Sequence, residues 1–261
     1  MCNNILTKTI PNKPEVVDFT QQQPTNGLNM SPQTERIRLH FDDAAKIFDN
    51  FIQNLIPHYN DMLEIVTAII PFDELADFEI IDLGCGTGTV SNYIKKRFKN
   101  AKITCMDISE NMLQIAAVKV GDNISCLCGD LNTFEFDKKY DVVVSSLALH
   151  HLETDAAKYE MYEKIYAGLK NNGIFINLDI LLGSNEELQA LNMEKWIAFM
   201  EKNVPADEIY EKWLPSYYSD DRPASLISHL NSMEKSKFKE IDVIYKYFNY
   251  AVFCGRKRES N

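Results

Sequence analysis

The stretch Ile80-Ile81-Asp82-Leu83-Gly84-Cys85-Gly86-Thr87-Gly88-Thr89-Val90-Ser91 constrains the fold more than any other part of this chain. Its apolar start reads as a short buried strand. Glycines then fall at every second position, and a helix is predicted over 90–98. Glycine lets the backbone bend sharply and lets a ligand approach the main chain where a Cβ would stand in the way. The helix that follows offers unpaired N–H groups and a positive dipole end to a carboxylate or phosphate. Thr89 makes the spacing Gly-x-Gly-x-Gly, which is not the Gly-x-Gly-x-x-Gly of dinucleotide binders. A ligand cradle and a tight turn that merely packs closely both fit these residues taken alone.

Beyond the turn, strands and helices alternate. Lys102–Asp107, Ile124–Cys128 and Tyr140–Ser146 read as strands, and 174–182 as a fifth. Between them, Ser109 caps a helix over Glu110–Val120 that Gly121 stops. Thr154 opens another helix, expected to run to Asn171-Asn172-Gly173. Such alternation implies right-handed crossovers and a parallel sheet covered on both faces. The runs 238–246 and 248–256 are too close together for a crossover helix and should pair as an antiparallel hairpin. The expected fold is therefore α/β: a Rossmann-like, doubly wound, seven-stranded sheet, mostly parallel, with an antiparallel C-terminal hairpin and a helical cap.

The flanks supply the cap. Residues 1–32 are rich in Asn, Gln, Pro and Thr without sustained periodicity and read as a flexible N-terminal arm. Residues 33–261 are expected to form one domain. Within it, 33–72 is an N-terminal helical cap, because Phe41, Ala44, Ala45, Phe48, Phe51, Ile52, Leu55 and Ile56 recur at helical steps up to Pro57. Residues 184–236 break the alternation with a helical insertion that carries Leu188, Leu191, Trp196, Phe199 and Met200 on one face.

Composition narrows the class. A net charge of −11 argues against a surface that tracks a phosphate backbone, so nucleic acid is not the expected partner. No apolar run approaches the roughly 20 residues of a membrane span, and Met1-Cys2-Asn3-Asn4 begins no secretory signal. The six cysteines match no zinc spacing, and four lie in apolar strand-like runs, as core thiols of a reducing cytoplasm would. A cytoplasmic protein without a metal centre is expected, as a monomer or a homodimer.

Ligands of open α/β sheets bind beyond the carboxyl ends of the strands, beside the switch point. Gly84 to Gly88 follows the first strand, Asp107 ends the second, Gly129-Asp130 closes the third, and Ser145 and Ser146 end the fourth. An acid at the second tip can accept hydrogen bonds from ribose hydroxyls, and one at the third can take the exocyclic amine of adenine. His150 and His151 follow the fourth strand, placed to remove a proton from an acceptor near neutral pH.

This order of motifs resembles the class I S-adenosylmethionine-dependent methyltransferases: Ile-Asp-Leu-Gly-Cys-Gly-Thr-Gly, an acid closing strand two, Gly-Asp, then Tyr-Asp-Val-Val-Val-Ser-Ser. Leu169-Lys170-Asn171-Asn172-Gly173 is similar to the segment before strand five in that family. The resemblance covers about 75–182 in motif. It implies S-adenosyl-L-methionine as cofactor and S-adenosyl-L-homocysteine as product. Gly84, Cys85 and Gly86 would face the methionine part, Asp107 the ribose, and Asp130, Leu131 and Ile108 the adenine, with Gly88, Met112 and Ser145 also among the cofactor-binding residues. Phe41-Asp42, Phe48-Asp49 and Ile56-Pro57-His58-Tyr59 are similar to the subgroup containing the carboxy-S-adenosylmethionine synthase of tRNA wobble modification, in which residues matching Tyr59 and Ser146 touch the cofactor. The carboxylate-binding arginine of that enzyme has no counterpart here: 205–216 holds no Arg, and Arg222 comes several residues late. The expected activity is therefore methyl transfer to a small-molecule acceptor, with His150 or His151 as base. A carboxy-S-adenosylmethionine synthase-like enzyme and a non-catalytic cofactor-binding protein are the alternatives.

Overall fold

The computed structural model describes residues 31–44, 48–122 and 124–259; the arm expected over 1–32 lies outside them but for its last two residues. Seven strands form one sheet: β1 (Glu79–Leu83), β2 (Lys102–Asp107), β3 (Ile124–Cys128), β4 (Tyr140–Ser146), β5 (Leu169–Ile180), β6 (Lys239–Tyr247) and β7 (Tyr250–Arg256). Their order is β3-β2-β1-β4-β5-β7-β6. β1 to β5 run parallel, while β7 pairs antiparallel with both β5 and β6. β1 and β4 are neighbours although far apart in sequence, so the switch point falls between them.

The strand sequences explain why both faces are covered. Successive side chains point to opposite faces, and here both sets are apolar. Ile80, Ile103, Val142, Val144 and Ile176 enter one core; Ile81, Leu83, Val143 and Phe175 enter the other. The first core is covered by α3 (Tyr59–Ala68), α4 (Thr89–Arg97) and α5 (Glu110–Val120), through Leu63, Ile94 and Leu113. The second is covered by α6 (Asp155–Gly168) and by a C-terminal helix (Leu226–Lys235), through Tyr162, Ile165 and Met233. A fully buried side chain of this size is worth about 1.5–3 kcal/mol.

The cap comprises α1 (Pro32–Ala44), α2 (Phe48–Leu55) and, after β5, α7 (Glu186–Met200). A helical stretch follows as α8 (Ala206–Glu208), a π turn (Ile209–Trp213) and α9 (Leu214–Asp220); the Leu226–Lys235 helix is α10. Trp196 of α7 donates its indole N–H to the Leu55 carbonyl at 2.7 Å, tying the two cap segments together. Among the described residues no helix is long and apolar enough to cross a membrane.

One boundary differs from the sequence expectation. The helix α6 ends at Gly168, not at Gly173, and β5 begins at Leu169. Leu169 pairs with Tyr140 before the register shifts to Val142 and Ile174, so 170–173 bulge out between two ladder pairs. Asn172 there has φ 63°, a conformation that ends a helix.

Candidate functional site

The glycine turn leaves β1 with φ of 69°, 53° and 75° at Gly84, Gly86 and Gly88. The amides of Gly84 and Cys85 donate to the Met106 carbonyl at 2.8 and 2.9 Å, locking the turn to β2. The three glycines serve different ends. A Cβ at Gly84 would lie 2.3 Å from the Ala148 Cβ, and one at Gly88 would lie 2.8 Å from the Ala116 Cβ. At Gly86 a Cβ would meet no atom within 4 Å, because that backbone borders open space.

Asp107, at the tip of β2, accepts the Gly86 amide on Oδ2 (2.8 Å) and the Ser109 amide on Oδ1 (2.9 Å). Burial pushes its pKa up to about 6, against those bonds. Asp130, beyond β3, accepts both the backbone and side-chain N–H groups of Asn132 on Oδ1. Asp82 is buried within β1, takes the Ser91 hydroxyl at 2.7 Å, and is pushed up to about 7 by burial.

Around these tips lies an open cleft. Gly84, Cys85, Gly86, Asp107, Asp130 and Ser146 line it, as do Tyr59, Ile108, Met112 and Leu131. Thr34, Ile37 and Phe41 of α1 close it from above. Two polar anchors hold the cap here. The Ser109 hydroxyl donates to Asp42 at 2.5 Å. Asp49 accepts the hydroxyls of Thr87 (2.6 Å) and Thr89 (3.1 Å) and pairs with Lys119 at 2.6 Å. Asp42 and Asp49, which the sequence left without a role, are these anchors.

A second cavity adjoins the first, with Ile37, Phe41, Leu147 and His151 on the walls of both. Its own walls include Leu55, Ile180, Trp196, Trp213, Tyr217 and Tyr250. The two histidines, on a single 3₁₀ turn (Leu149–His151), separate here. His150 is buried, with Nδ1 2.5 Å from Asp179 and Nε2 3.5 Å from Asp221. Burial opposes its charge, but the carboxylates of Asp221 and Asp179 prevail and raise its pKa. His151 lies with Nδ1 3.4 Å from Asp221 and 3.5 Å from the Asp220 carbonyl. Burial and the neighbouring His150 charge hold its pKa well below the usual histidine range, so it is neutral. Phe41 packs edge-on against it.

Two residues expected to touch a cofactor do not border the cleft. Ser145 is fully buried and donates its hydroxyl to the Leu83 carbonyl at 2.9 Å, because β4 turns that side chain toward β1. Gly88 packs against α5, and its amide bonds to the Cys85 carbonyl. His150 borders only the second cavity. The sequence missed Asp179 and Asp221, since their pairing with the histidines spans 29 residues in one case and reaches into the 184–236 insertion in the other. Among the described residues, His150, His151 and Asp221 also form the one cluster whose donor atoms could surround a metal ion.

Comparisons with known proteins bear on the same residues. Residues 80–173 match the family model of a methyltransferase domain. The malonyl-[acyl-carrier protein] O-methyltransferase 1 of Ilyobacter polytropus is 29% identical over 68% of this chain, which spans 65% of that protein's length, a little under two thirds. The carboxy-S-adenosyl-L-methionine synthase of Campylobacter hominis is 27% identical over 84% of this chain and 95% of that one. The solved structure of PigF with SAH superposes with a TM-score of 0.60 at 15% identity, over 88% of this chain and 63% of that one, a likeness of fold. With its glycine turn and acidic strand tips on a sheet of this order, residues 80–173 carry a methyltransferase domain, and the chain is similar in sequence and fold to S-adenosylmethionine-dependent methyltransferases of class I.

Proposed function

We propose that this enzyme methylates a small molecule seated in the second cavity, with His151 taking the proton that the acceptor sheds. The observation that carries the proposal is the position of His151, neutral and on the wall of both cavities. S-adenosylmethionine supplies an activated methyl group on sulfur. Gly84, Cys85 and Gly86 would hold its amino-acid end, and the bare backbone at Gly86 leaves room for that approach. Asp107 would take the ribose hydroxyls on lone pairs that its two amide bonds leave over. Ile108, Met112 and Leu131 would enclose the adenine, Asp130 would accept its amine, and Tyr59 and Ser146 would close the methionine side.

The chain's remaining task is alignment, because a sulfonium methyl needs a nucleophile placed in line with it. Phe41 and Asp221 fix the His151 ring from two sides, which leaves Nε2 to accept a proton. Carboxylate transfer is the less favoured reading. No Lys or Arg among the described residues lines either cavity, and the Arg222 guanidinium is committed to the carbonyls of Tyr218, Ser219 and Asp221. The open second cavity disfavours a non-catalytic binder. A cytoplasmic setting belongs to the same reading, supported by five described cysteines that are all free.

The test is incubation with trideuteromethyl-labelled cofactor and a low-molecular-weight extract of the producing organism. Mass spectrometry should find one labelled product, with turnover falling about 100-fold or more in His151→Gln, on the scale of lost general-base catalysis. Labelled product at an undiminished rate in that variant would remove His151 from the mechanism.

A further inference from the structure

The charges around the second cavity do not balance, and the imbalance names the kind of molecule that fits. Asp221 approaches His150 at 3.5 Å and His151 at 3.4 Å. His151 Nδ1 also meets the Asp220 carbonyl at 3.5 Å, so Asp221 has no undivided claim on it. His150 makes its shorter contact, 2.5 Å, to Asp179. One imidazole thus stands between two carboxylates.

The other charged groups nearby are spoken for. Asp220 pairs with Arg36 at 2.9 Å. Arg222 attracts Asp221, but its guanidinium is bonded to backbone carbonyls. Lys158 donates to the Leu152 carbonyl and is not on the cavity wall. Asp221 borders the cavity, with 18% of its side chain exposed. A cation arriving there meets a partly desolvated carboxylate that no Lys or Arg on the cavity wall neutralises.

We propose that the acceptor is a primary or secondary amine on a flat apolar scaffold, bound through Asp221, and that its nitrogen is the atom methylated. The proposal rests on the methyl-transfer reading above and specifies its substrate class. Trp196 and Tyr217, edge to face at 5.3 Å, give the scaffold a flat apolar wall. They also suit an alkylated ammonium, which aromatic faces attract. Asp221 draws the ammonium to within reach of His151, which is also on the cofactor cleft. His151 Nε2 then takes one proton, leaving a nitrogen lone pair. That pair forms the new N–C bond as the S–C bond breaks, its electrons staying on sulfur. The product is the methylated ammonium, and the proton on His151 passes to water.

The experiment uses the full chain saturated with S-adenosylhomocysteine, after its binding has been measured alone. The probes are matched pairs: 2-phenylethylamine against 3-phenylpropionate, and tryptamine against indole-3-propionate, titrated by calorimetry and ligand-observed NMR. The amines should bind at least tenfold tighter than the carboxylates. Asp221→Asn should abolish that preference, and Asp221→Glu should restore it, with S-adenosylhomocysteine affinity unchanged in both. Equal or tighter binding of the carboxylates, or a preference that survives Asp221→Asn, overturns the proposal. If Asp221→Asn fails to fold, the wild-type comparison decides alone. Amine preference without labelled methyl appearing on any molecule sinks methyl transfer but leaves the amine site standing. Labelled methyl on a carboxylate or phosphate acceptor does the reverse.

Discussion

Two glycines two positions apart should fail in opposite ways when each becomes alanine. Gly86 and Gly88 share a left-handed backbone, φ 53° and 75°, which costs an L-residue roughly 1–2 kcal/mol. At Gly88 the new methyl would also sit 2.8 Å from the Ala116 Cβ and 3.1 Å from both the Ala116 Cα and a Val120 methyl. Carbon atoms prefer about 3.5–4.0 Å, so α5 must shift, and overpacking of this kind adds roughly 1–3 kcal/mol. Gly88→Ala should thus lose about 2–5 kcal/mol of stability. At Gly86 nothing lies within 4 Å, so only the backbone cost applies to folding. The methyl would instead project into the cleft where a ligand meets the main chain. Gly86→Ala should therefore lose about 1–2 kcal/mol of stability and at least tenfold, roughly 1.4 kcal/mol, in S-adenosylhomocysteine affinity. Urea denaturation and calorimetric titration of both variants measure the contrast. Wild-type affinity in Gly86→Ala would mean that no ligand approaches this backbone; wild-type stability in Gly88→Ala would refute the close packing on α5.

The histidines should separate by stability. His150→Asn strands the buried Asp179 carboxylate without its cation and should cost about 3–5 kcal/mol. His151→Asn should cost less than about 1 kcal/mol by denaturation; equal losses would contradict their division of labour. Asp82 carries a folded-state pKa of about 7 against about 3.9 when unfolded. Its protonated form therefore favours the fold below about pH 4, and that contribution is lost as pH rises toward 7. Asp82→Asn keeps an acceptor for Ser91, so its stability relative to wild type should climb between pH 5 and pH 8; a constant difference would show that Asp82 ionises normally. Asp49→Ala removes the anchor between α2 and the glycine turn. Amide exchange over 48–55 should then quicken while β1 and β4 keep their protection, as hydrogen-exchange mass spectrometry would record.

The parallel core was legible because its strands carry their own signals. Val142, Val143 and Val144 are buried on alternating faces, as an uninterrupted branched run implies. Asp107 and Asp130 stand at strand tips, where the ends of the apolar runs placed them. Gly88 and Ser145 were less legible, because residue type does not tell a side chain that meets a ligand from one that meets a neighbouring element. The bulge at 170–173 escaped notice since Leu169 suits a helix end and a strand start equally. The charge at the second cavity was hidden for another reason. Asp179 and Asp221 reach the histidines from β5 and from beyond α9, and nothing local in the sequence joins them. Trp196 and Tyr217 were visible as aromatics, but their place on that cavity follows from how α7 and α9 fold back over the sheet.

The central claim is that the cleft at the tips of β1, β2 and β3 grips an adenosyl sulfur compound through the Gly86 backbone and Asp107. Calorimetric titration of the purified chain with S-adenosylhomocysteine tests it directly. One molecule should bind per chain, with affinity falling more than tenfold in Asp107→Ala, about 1.4 kcal/mol or more. No heat of binding in the wild type, or an affinity that Asp107→Ala leaves unchanged, would contradict it.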